Sequence, residues 1–206
     1  PDPAYAPDII YNSWGCPPSE GCTVGNELAG AVQTLVEAGI FFVAAAGNDG
    51  STCGSILDAP ATYDASFVVG ATTATDAITS FSSRGPTAGA AAARPDLIAP
   101  GSGVRSAVPG NAYGPMSGTS MATPHVAGVA ALMMDANPAL KGHPQEVAAL
   151  LRATAVRDGI TDPYRTSCGG LSLGTWPNHQ AGWGRIAAWA AVQAAMPAVF
   201  LDGFED

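Results

Sequence analysis

The chain has 206 residues, of which 47% are hydrophobic, and its 8 basic and 17 acidic side chains give a formal net charge of −9. This length suits one domain or a large part of one, and the acidic balance argues against nucleic acid and anionic membranes as partners. No apolar run approaches the ~20 residues that a membrane-spanning helix needs. The chain starts at Pro1 with no signal segment, so we expect it to be a piece of a longer protein.

Short strands and helices alternate along the chain. Strands are predicted at Ile9–Ser13, Ile40–Ala46, Phe67–Thr73 and Leu97–Ala99, and helices at Asn26–Ala38, Ser120–Asp135, Pro144–Ala155 and Ala187–Ala195. Asn26 is the predicted N-cap of the first helix, and Gly39 its terminator. The continuous apolar run Ile40–Ala46 is typical of a parallel strand buried on both faces. This order predicts an α/β fold with a mainly parallel sheet, helices on both faces and ligands beyond the carboxyl ends of the strands.

The chain has four cysteines, Cys16, Cys22, Cys53 and Cys168, in loop-like contexts. An even number indicates disulfides, and hence a secreted or periplasmic protein. Pairing Cys16 with Cys22 would leave Cys53 for Cys168, but the spacing does not decide among the possible pairings, and reduced buried thiols are the alternative. The aperiodic stretch 157–179 is a long loop, which we expect Cys168 to staple down. No cysteine spacing or nearby histidine indicates a metal site.

The most informative run is residues 118–128, Gly-Thr-Ser-Met-Ala-Thr-Pro-His-Val-Ala-Gly. It places Ser120 on a glycine-flanked turn that opens a helix rich in small apolar residues. A helix start supplies unpaired N–H groups and a partial positive charge, which suit an oxygen nucleophile and the anion it generates. Pro124 is expected in the first turn, where its missing N–H costs nothing.

This run resembles the segment that carries the nucleophilic serine in the subtilisin-like serine peptidases, the subtilases. The resemblance covers nearly all of residues 9–196. Its other matching segments are Asn12–Gly15, Ala44–Asn48, Phe81–Pro86, Arg94–Gly101 and Gly182–Ile186. It implies that residues 1–199 are the C-terminal part of a three-layer subtilase domain and that residues 200–206 are a short tail. The start 12–16, Asn-Ser-Trp-Gly-Cys, is similar to bacillopeptidase F-like enzymes.

The resemblance implies a serine endopeptidase that cleaves polypeptides through an acyl-enzyme, with Ser120 as nucleophile and Asn48 as donor to the oxyanion. It also implies a set of substrate-binding residues, formed by two strand-end segments and the residue before the nucleophile. These residues are Ser13, Trp14, Gly15, Ala45, Ala46, Gly47 and Thr119. For Asn48 the alternative is an ordinary Asn-Asp-Gly turn after a strand.

The catalytic base is missing from the sequence. His125 follows Ser120 by five residues on the same predicted helix, too far round the axis to reach its hydroxyl, and is predicted to be a packing residue. His143 and His179 are predicted to be solvated. Subtilases take the base from a His-Gly-Thr-His segment and its orienting carboxylate from an Asp-Thr-Gly or Asp-Ser-Gly segment, both earlier in the chain, and neither occurs here.

The chain alone is therefore predicted to be inactive, and its expected partner is the missing N-terminal part of the same domain. The alternative is a non-catalytic remnant that binds extended peptides by strand pairing but does not cut them.

Two further expectations concern ligands. Asp49 and Asp58 flank the loop that closes the S1 pocket of subtilases, where carboxylates would favour a basic substrate side chain; solvated turn residues are the alternative. By family analogy, the carbonyls around Ala61, Tyr63 and Ser66 could host a weak structural cation. No other cofactor or metal is expected.

Overall fold

The central element of the computed structural model, which describes residues 5–22, 26–88 and 92–197, is a parallel sheet. Its strands are β1 (Ile9–Asn12), β2 (Phe41–Ala45), β3 (Phe67–Thr72) and β4 (Leu97–Pro100), in that spatial order. Asn12 lies opposite Ala44, and Ala45 opposite Val69. Every residue of β2 and β3 is buried, as expected for apolar strands covered on both faces.

Helices cover both faces of this sheet. They are α1 (Ala29–Glu37), α2 (Thr119–Ala136), α3 (Pro144–Ala153) and α4 (Ala188–Ala195). On one face, Val32 and Val36 of α1 pack with Phe42 of β2. On the other, Phe41 and Val43 pack in one core with residues of α2, α3 and α4. Because alternate strand residues point to opposite faces, β2 belongs to both cores. The predicted three-layer α/β architecture is confirmed.

The start of α1 corrects the prediction. The helix begins at Ala29 rather than after Asn26, and no side chain caps it. Instead, the N–H of Leu28 donates to the hydroxyl oxygen of Tyr63 at 3.2 Å. A tertiary contact therefore satisfies the helix start, while Gly39 follows the helix with φ +91°, as predicted. The other predicted bounds lie within two residues of those observed.

A hairpin that the sequence analysis did not predict precedes the nucleophile helix. Its strands are β5 (Val104–Val108) and β6 (Ala112–Met116), paired antiparallel. Gly110 and Asn111 in its turn both have positive φ, the geometry of a tight hairpin turn. Pro109-Gly110-Asn111 was the sequence signal for it.

Both disulfides form, as Cys16–Cys22 and Cys53–Cys168. The long loop contains the short strands β7 (Ser167–Cys168) and β8 (Leu171–Ser172), and the second disulfide staples it as predicted. The predicted tail, residues 200–206, lies outside the described residues. In the described part of the chain, no helix is long and apolar enough to cross a membrane.

Candidate active site

A pocket of about 340 Å³ opens where the carboxyl ends of β1 and β2 meet the start of α2. We call it the Ser120 pocket. All the predicted catalytic and substrate-binding residues line it: Ser13, Trp14, Gly15, Ala45, Ala46, Gly47, Asn48, Thr119 and Ser120. The remaining lining residues are Pro17, Glu20, Asp49, Asp58 and Ala61. The position beyond the strand ends is where α/β sheets bind ligands.

Two reciprocal hydrogen bonds tie Ser120 to the end of β1. Its hydroxyl donates to the Ser13 carbonyl at 3.1 Å, and the Ser13 hydroxyl donates to the Ser120 carbonyl at 2.9 Å. The second bond compensates for Pro124. This proline was predicted in the first turn of the helix but lies further inside α2. A proline there cannot donate to the carbonyl four residues earlier, and Ser13 satisfies that carbonyl instead.

The side chain of Asn48 is fixed by its oxygen. Asn48 Oδ1 accepts from the Thr119 N–H at 2.9 Å and from the Thr119 hydroxyl at 3.1 Å. With both bonds on the oxygen, the Nδ2 amine is the group left to donate. A Cβ on Gly118 would lie 3.6 Å from Asn48 Nδ2 and 3.7 Å from both Asn48 Oδ1 and the Ser120 backbone nitrogen. The Asn48 amide and the Ser120 N–H therefore border the same position beside Gly118.

Gly101, which follows β4, packs against the turn at Gly118 that begins α2. Its carbonyl accepts from the Gly118 N–H at 2.8 Å. A Cβ on Gly101 would lie 2.6 Å from the Cβ of Ala71 and 2.8 Å from the Gly118 carbonyl oxygen. Only glycine allows the end of β4 to approach the start of α2 so closely.

None of the histidines serves Ser120 as a base. His125 is exposed, against its prediction as a packing residue, and its Nδ1 contacts the Met121 carbonyl at 2.8 Å. His143 is exposed, as predicted, 3.8 Å from Glu146. His179 was predicted to be solvated, but its Nδ1 is buried and has no partner among the described residues. Burial lowers the pKa of His179, and the nearby Arg94 backbone opposes this only in part.

A second cavity of about 630 Å³ also has Ser120 in its lining. We call it the edge cavity, because Tyr11 on β1 lines it and β1 has no strand on its outer edge within the described residues. Its lining also includes Met121 and His125 of α2 and Arg105 of the hairpin. Ser120 therefore lines both cavities.

Acidic side chains surround the Ser120 pocket. Asp49 and Asp58 line it, as expected; Asp58 is half-buried rather than a fully solvated turn residue, whereas Asp49 is exposed. Glu20 joins them, which the sequence analysis missed. Glu20 lies inside the Cys16–Cys22 loop, which directly follows the predicted substrate-binding residues 13–15, and that position was the available signal.

One of the carbonyls expected around a weak cation, that of Tyr63, accepts a hydrogen bond from a side chain. Arg94 Nη2 donates to the Tyr63 carbonyl at 3.2 Å and to the Asp64 carbonyl at 3.1 Å. The hydroxyl of Ser66 donates to the Pro60 carbonyl at 2.7 Å. A guanidinium thus supplies positive charge at the Tyr63 and Asp64 carbonyls. Within the described residues, no cluster of His, Cys, Asp or Glu has the composition to hold a metal ion.

Comparison with known proteins identifies the family. The model of the subtilase family matches residues 4–184. The chain belongs to the subtilase family. Subtilisin E of Bacillus subtilis is 41% identical over 132 residues, which are 64% of this chain and 32% of that protein. Alkaline serine exoprotease A of Vibrio alginolyticus is 42% identical over 135 residues, 66% of this chain and 23% of that protein.

Solved structures show the same fold. The prenylagaramide maturation protease PagA superposes with a TM-score of 0.65 at 26% identity, covering 92% of this chain and 62% of that one. A protease from Pseudoalteromonas arctica superposes with a TM-score of 0.67 at 28% identity, covering 91% and 51%. The matched region thus spans about a third of the subtilisin E sequence and half or more of these solved chains. The likeness to bacillopeptidase F-like enzymes stays a prediction.

Proposed function

We propose that this subtilase chain is the C-terminal portion of a serine endopeptidase, with Ser120 as its nucleophile. One observation carries the proposal: Ser120 and Asn48 line the same pocket, and Asn48 Nδ2 and the Ser120 N–H both border the same position beside Gly118. A nucleophile needs such donors where negative charge develops in acyl transfer.

The proposed reaction follows from this arrangement. Ser120 Oγ attacks the carbonyl carbon of a peptide bond and gives its proton to a base. The carbonyl oxygen becomes an oxyanion held by Asn48 Nδ2 and the Ser120 N–H, and Thr119 keeps the Asn48 amide in orientation. The C–N bond then breaks, and the amine leaves with the proton from the base. Water hydrolyses the resulting acyl-enzyme by the same steps in reverse order.

The base must come from outside this chain. The Ser120 hydroxyl donates to the Ser13 carbonyl, and an amide carbonyl is far too weak a base to take its proton. The edge cavity, which Ser120 also lines, provides the space for a histidine. The free outer edge of β1 is a surface on which a preceding segment of the domain would pack. We propose that this segment supplies both the histidine and its orienting aspartate.

The wall segments suit an extended peptide. Residues 13–15 follow β1 and residues 45–47 follow β2, so their backbones flank the Ser120 pocket on two sides. Main-chain groups beyond strand ends pair with extended polypeptide, which supplies affinity without regard to sequence. Polypeptides are therefore the proposed substrates.

No cofactor is proposed for this reaction. At the carbonyl cluster around Tyr63 we propose that the Arg94 guanidinium acts in place of a bound cation. The disulfides support a secreted or periplasmic location, because such bonds persist in oxidising compartments.

Substitutions at Ser120 and Asn48 in the full-length natural protein test the proposal. Ser120→Ala should lower kcat by about 10⁶ and abolish labelling by a fluorophosphonate. Asn48→Ala should lower kcat by about 10²–10³, the loss found in subtilisin when its oxyanion donor is removed. Ser102→Ala, an exposed serine outside the pocket, is the matched control and should leave cleavage unchanged.

Peptide cleavage and labelling, both followed by mass spectrometry, separate the two candidate functions. If the unaltered full-length protein binds extended peptides but neither cleaves them nor labels at Ser120, it is a peptide-binding remnant. If cleavage survives Ser120→Ala, the assignment of the nucleophile is wrong.

A further inference from the structure

The Ser120 pocket carries more negative charge than it needs to pair with the main chain of a peptide. Glu20, Asp49 and Asp58 all line it, and its lining contains no lysine, arginine or histidine. These carboxyl groups are not an isolated surface cluster, since the same pocket opens at the Ser120 hydroxyl. Whatever side chain enters the pocket meets these carboxyl groups.

None of these carboxylates is neutralised by the protein. In the described part of the chain, Glu20, Asp49 and Asp58 make no ion pair. Among the residues that the structure describes, the one side-chain hydrogen bond to any of them is from the Ser83 hydroxyl to Asp49 Oδ2, at 3.5 Å.

Two of the carboxylates are built into the opposite walls. A Cβ on Gly15 would lie 3.1 Å from the Cβ atom and 3.4 Å from the Oδ2 atom of Asp58. A Cβ on Gly47 would lie 3.1 Å from Asp49 Oδ2, and Gly47 has φ +102°. Each wall therefore uses a glycine where a side chain would crowd its carboxylate.

The third carboxylate is held by the short disulfide loop. Glu20 ends a 3₁₀ turn, Pro18–Glu20, inside the loop that Cys16–Cys22 closes. The Cys16 N–H donates to the Ala59 carbonyl at 2.8 Å. This bond joins the Glu20 loop to the segment that carries Asp58.

The protonation of Asp58 reflects this crowding. Burial raises the pKa of Asp58, and repulsion from Asp49 and then Glu20 raises it further. A bound cation would reverse that repulsion and favour the ionised carboxylate.

We propose that the Ser120 pocket selects a basic side chain, arginine or lysine, on the acyl side of the bond that is cut. The inference rests on the proposed peptidase function and names its substrate class. Glu20, Asp49 and Asp58 supply the recognising charge, and an arginine can bond to two carboxylate oxygens at once. The apolar parts of Ala45, Ala46 and Ala61 contact the aliphatic stem.

Cleavage of matched peptides by the full-length natural protein tests the proposal. The peptides differ only at the residue before the scissile bond, which is arginine, lysine, norleucine or glutamate. We expect kcat/KM for arginine to exceed that for norleucine by about 10- to 100-fold, as for charge-assisted recognition. Asp58→Asn and Glu20→Gln should each reduce that ratio, and Asp158→Asn, an exposed aspartate outside the pocket, should leave it unchanged.

The outcomes separate this proposal from the proposed function. Equal cleavage after arginine and norleucine overturns the basic preference while the peptidase function stands. If no peptide is cleaved, the peptidase function fails, and binding decides the preference. In that case the affinities of the Ser120→Ala protein for the same arginine and norleucine peptides are measured by isothermal titration. We expect the arginine peptide to bind more tightly; equal affinities overturn the proposal.

Discussion

Acidic side chains have opposite surroundings in two regions of this molecule. In the scaffold, Asp162 makes a 2.8 Å ion pair with Arg84 in which both side chains are fully buried, and Asp96 lies 2.6 Å from Arg152. In the Ser120 pocket, Asp58 and its acidic neighbours make no ion pair among the described residues. Charge is matched where it stabilises the fold and left unmatched where a substrate would enter.

The pKa shifts express the same contrast. Burial alone would raise the pKa of Asp162, but hydrogen bonds from Arg84 and Gln180 hold it below its ordinary value. At Asp58, burial and its acidic neighbours all raise the pKa. Ionisation of Asp162 therefore stabilises the folded state, and ionisation of Asp58 opposes it.

The two regions also differ in their disulfides. Removing the disulfide that closes the longer loop is expected to lower the free energy of unfolding more than any other change considered below. Cys53–Cys168 closes a separation of 115 residues in the scaffold, and Cys16–Cys22 closes 6 residues at the pocket. By loop-closure entropy, replacing both cysteines of the long link with serine should cost about 5 kcal/mol, and replacing those of the short link about 2 kcal/mol.

Urea unfolding of the full-length protein measures both costs. The short-link variant should also lose part of its preference for arginine over norleucine, because Glu20 is no longer held in place. The long-link variant should keep the preference. Equal losses of stability would contradict the comparison of the two loops.

The next largest effect on stability is expected from the buried ion pair between Arg84 and Asp162. Arg84→Met leaves Asp162 buried without its cation and should lower the free energy of unfolding by about 3–5 kcal/mol. The double variant Arg84→Met, Asp162→Leu removes both charges and should recover much of that loss. Urea unfolding of the single and double variants checks this, with Arg157→Met, an exposed arginine, as the control. A double variant as unstable as the single one would show that the pair matters for packing rather than charge.

The sheet and its helices could be predicted from the sequence because burial dictates their residues. The apolar runs of β2 and β3 are buried throughout, and their bounds were close to the prediction. The hairpin was missed because most residues of β5 and β6 are exposed and show no apolar alternation. Only its Pro-Gly-Asn turn marked it.

The details at the helix starts depend on contacts between residues far apart in sequence. Tyr63 satisfies the start of α1, and Ser13 satisfies the carbonyl that Pro124 leaves free. Neither partner can be paired with its target from sequence spacing. For the site, the motifs located Ser120 and Asn48, but the position of Glu20 in the pocket follows from the path of a loop, which the motifs do not specify.

The smallest expected effect concerns Asp58 and sharpens the contrast with Asp162. Because the folded-state pKa of Asp58 is raised, its contribution to stability is fully present below its unfolded pKa of about 3.8 and is lost as the pH rises through the raised value. Asp58→Asn should therefore raise the Tm of the full-length protein at pH 7, by about 1 °C because the half-exposed carboxylate is partly screened, and should not change it at pH 3.

An arginine peptide should reverse the effect of Asp58→Asn at pH 7. A ligand that binds only the folded protein stabilises it by RT ln(1 + [L]/Kd), so a lower Kd gives a larger gain. The ionised Asp58 should lower the Kd for a cation. With the peptide in excess and Ser120→Ala present in both proteins to prevent cleavage, the protein with Asp58 should gain more Tm than the one with Asp58→Asn, whereas a norleucine peptide should stabilise both equally. Thermal unfolding with each peptide measures this. Equal gains with the arginine peptide would mean that the charge of Asp58 is unmatched for some reason other than substrate recognition.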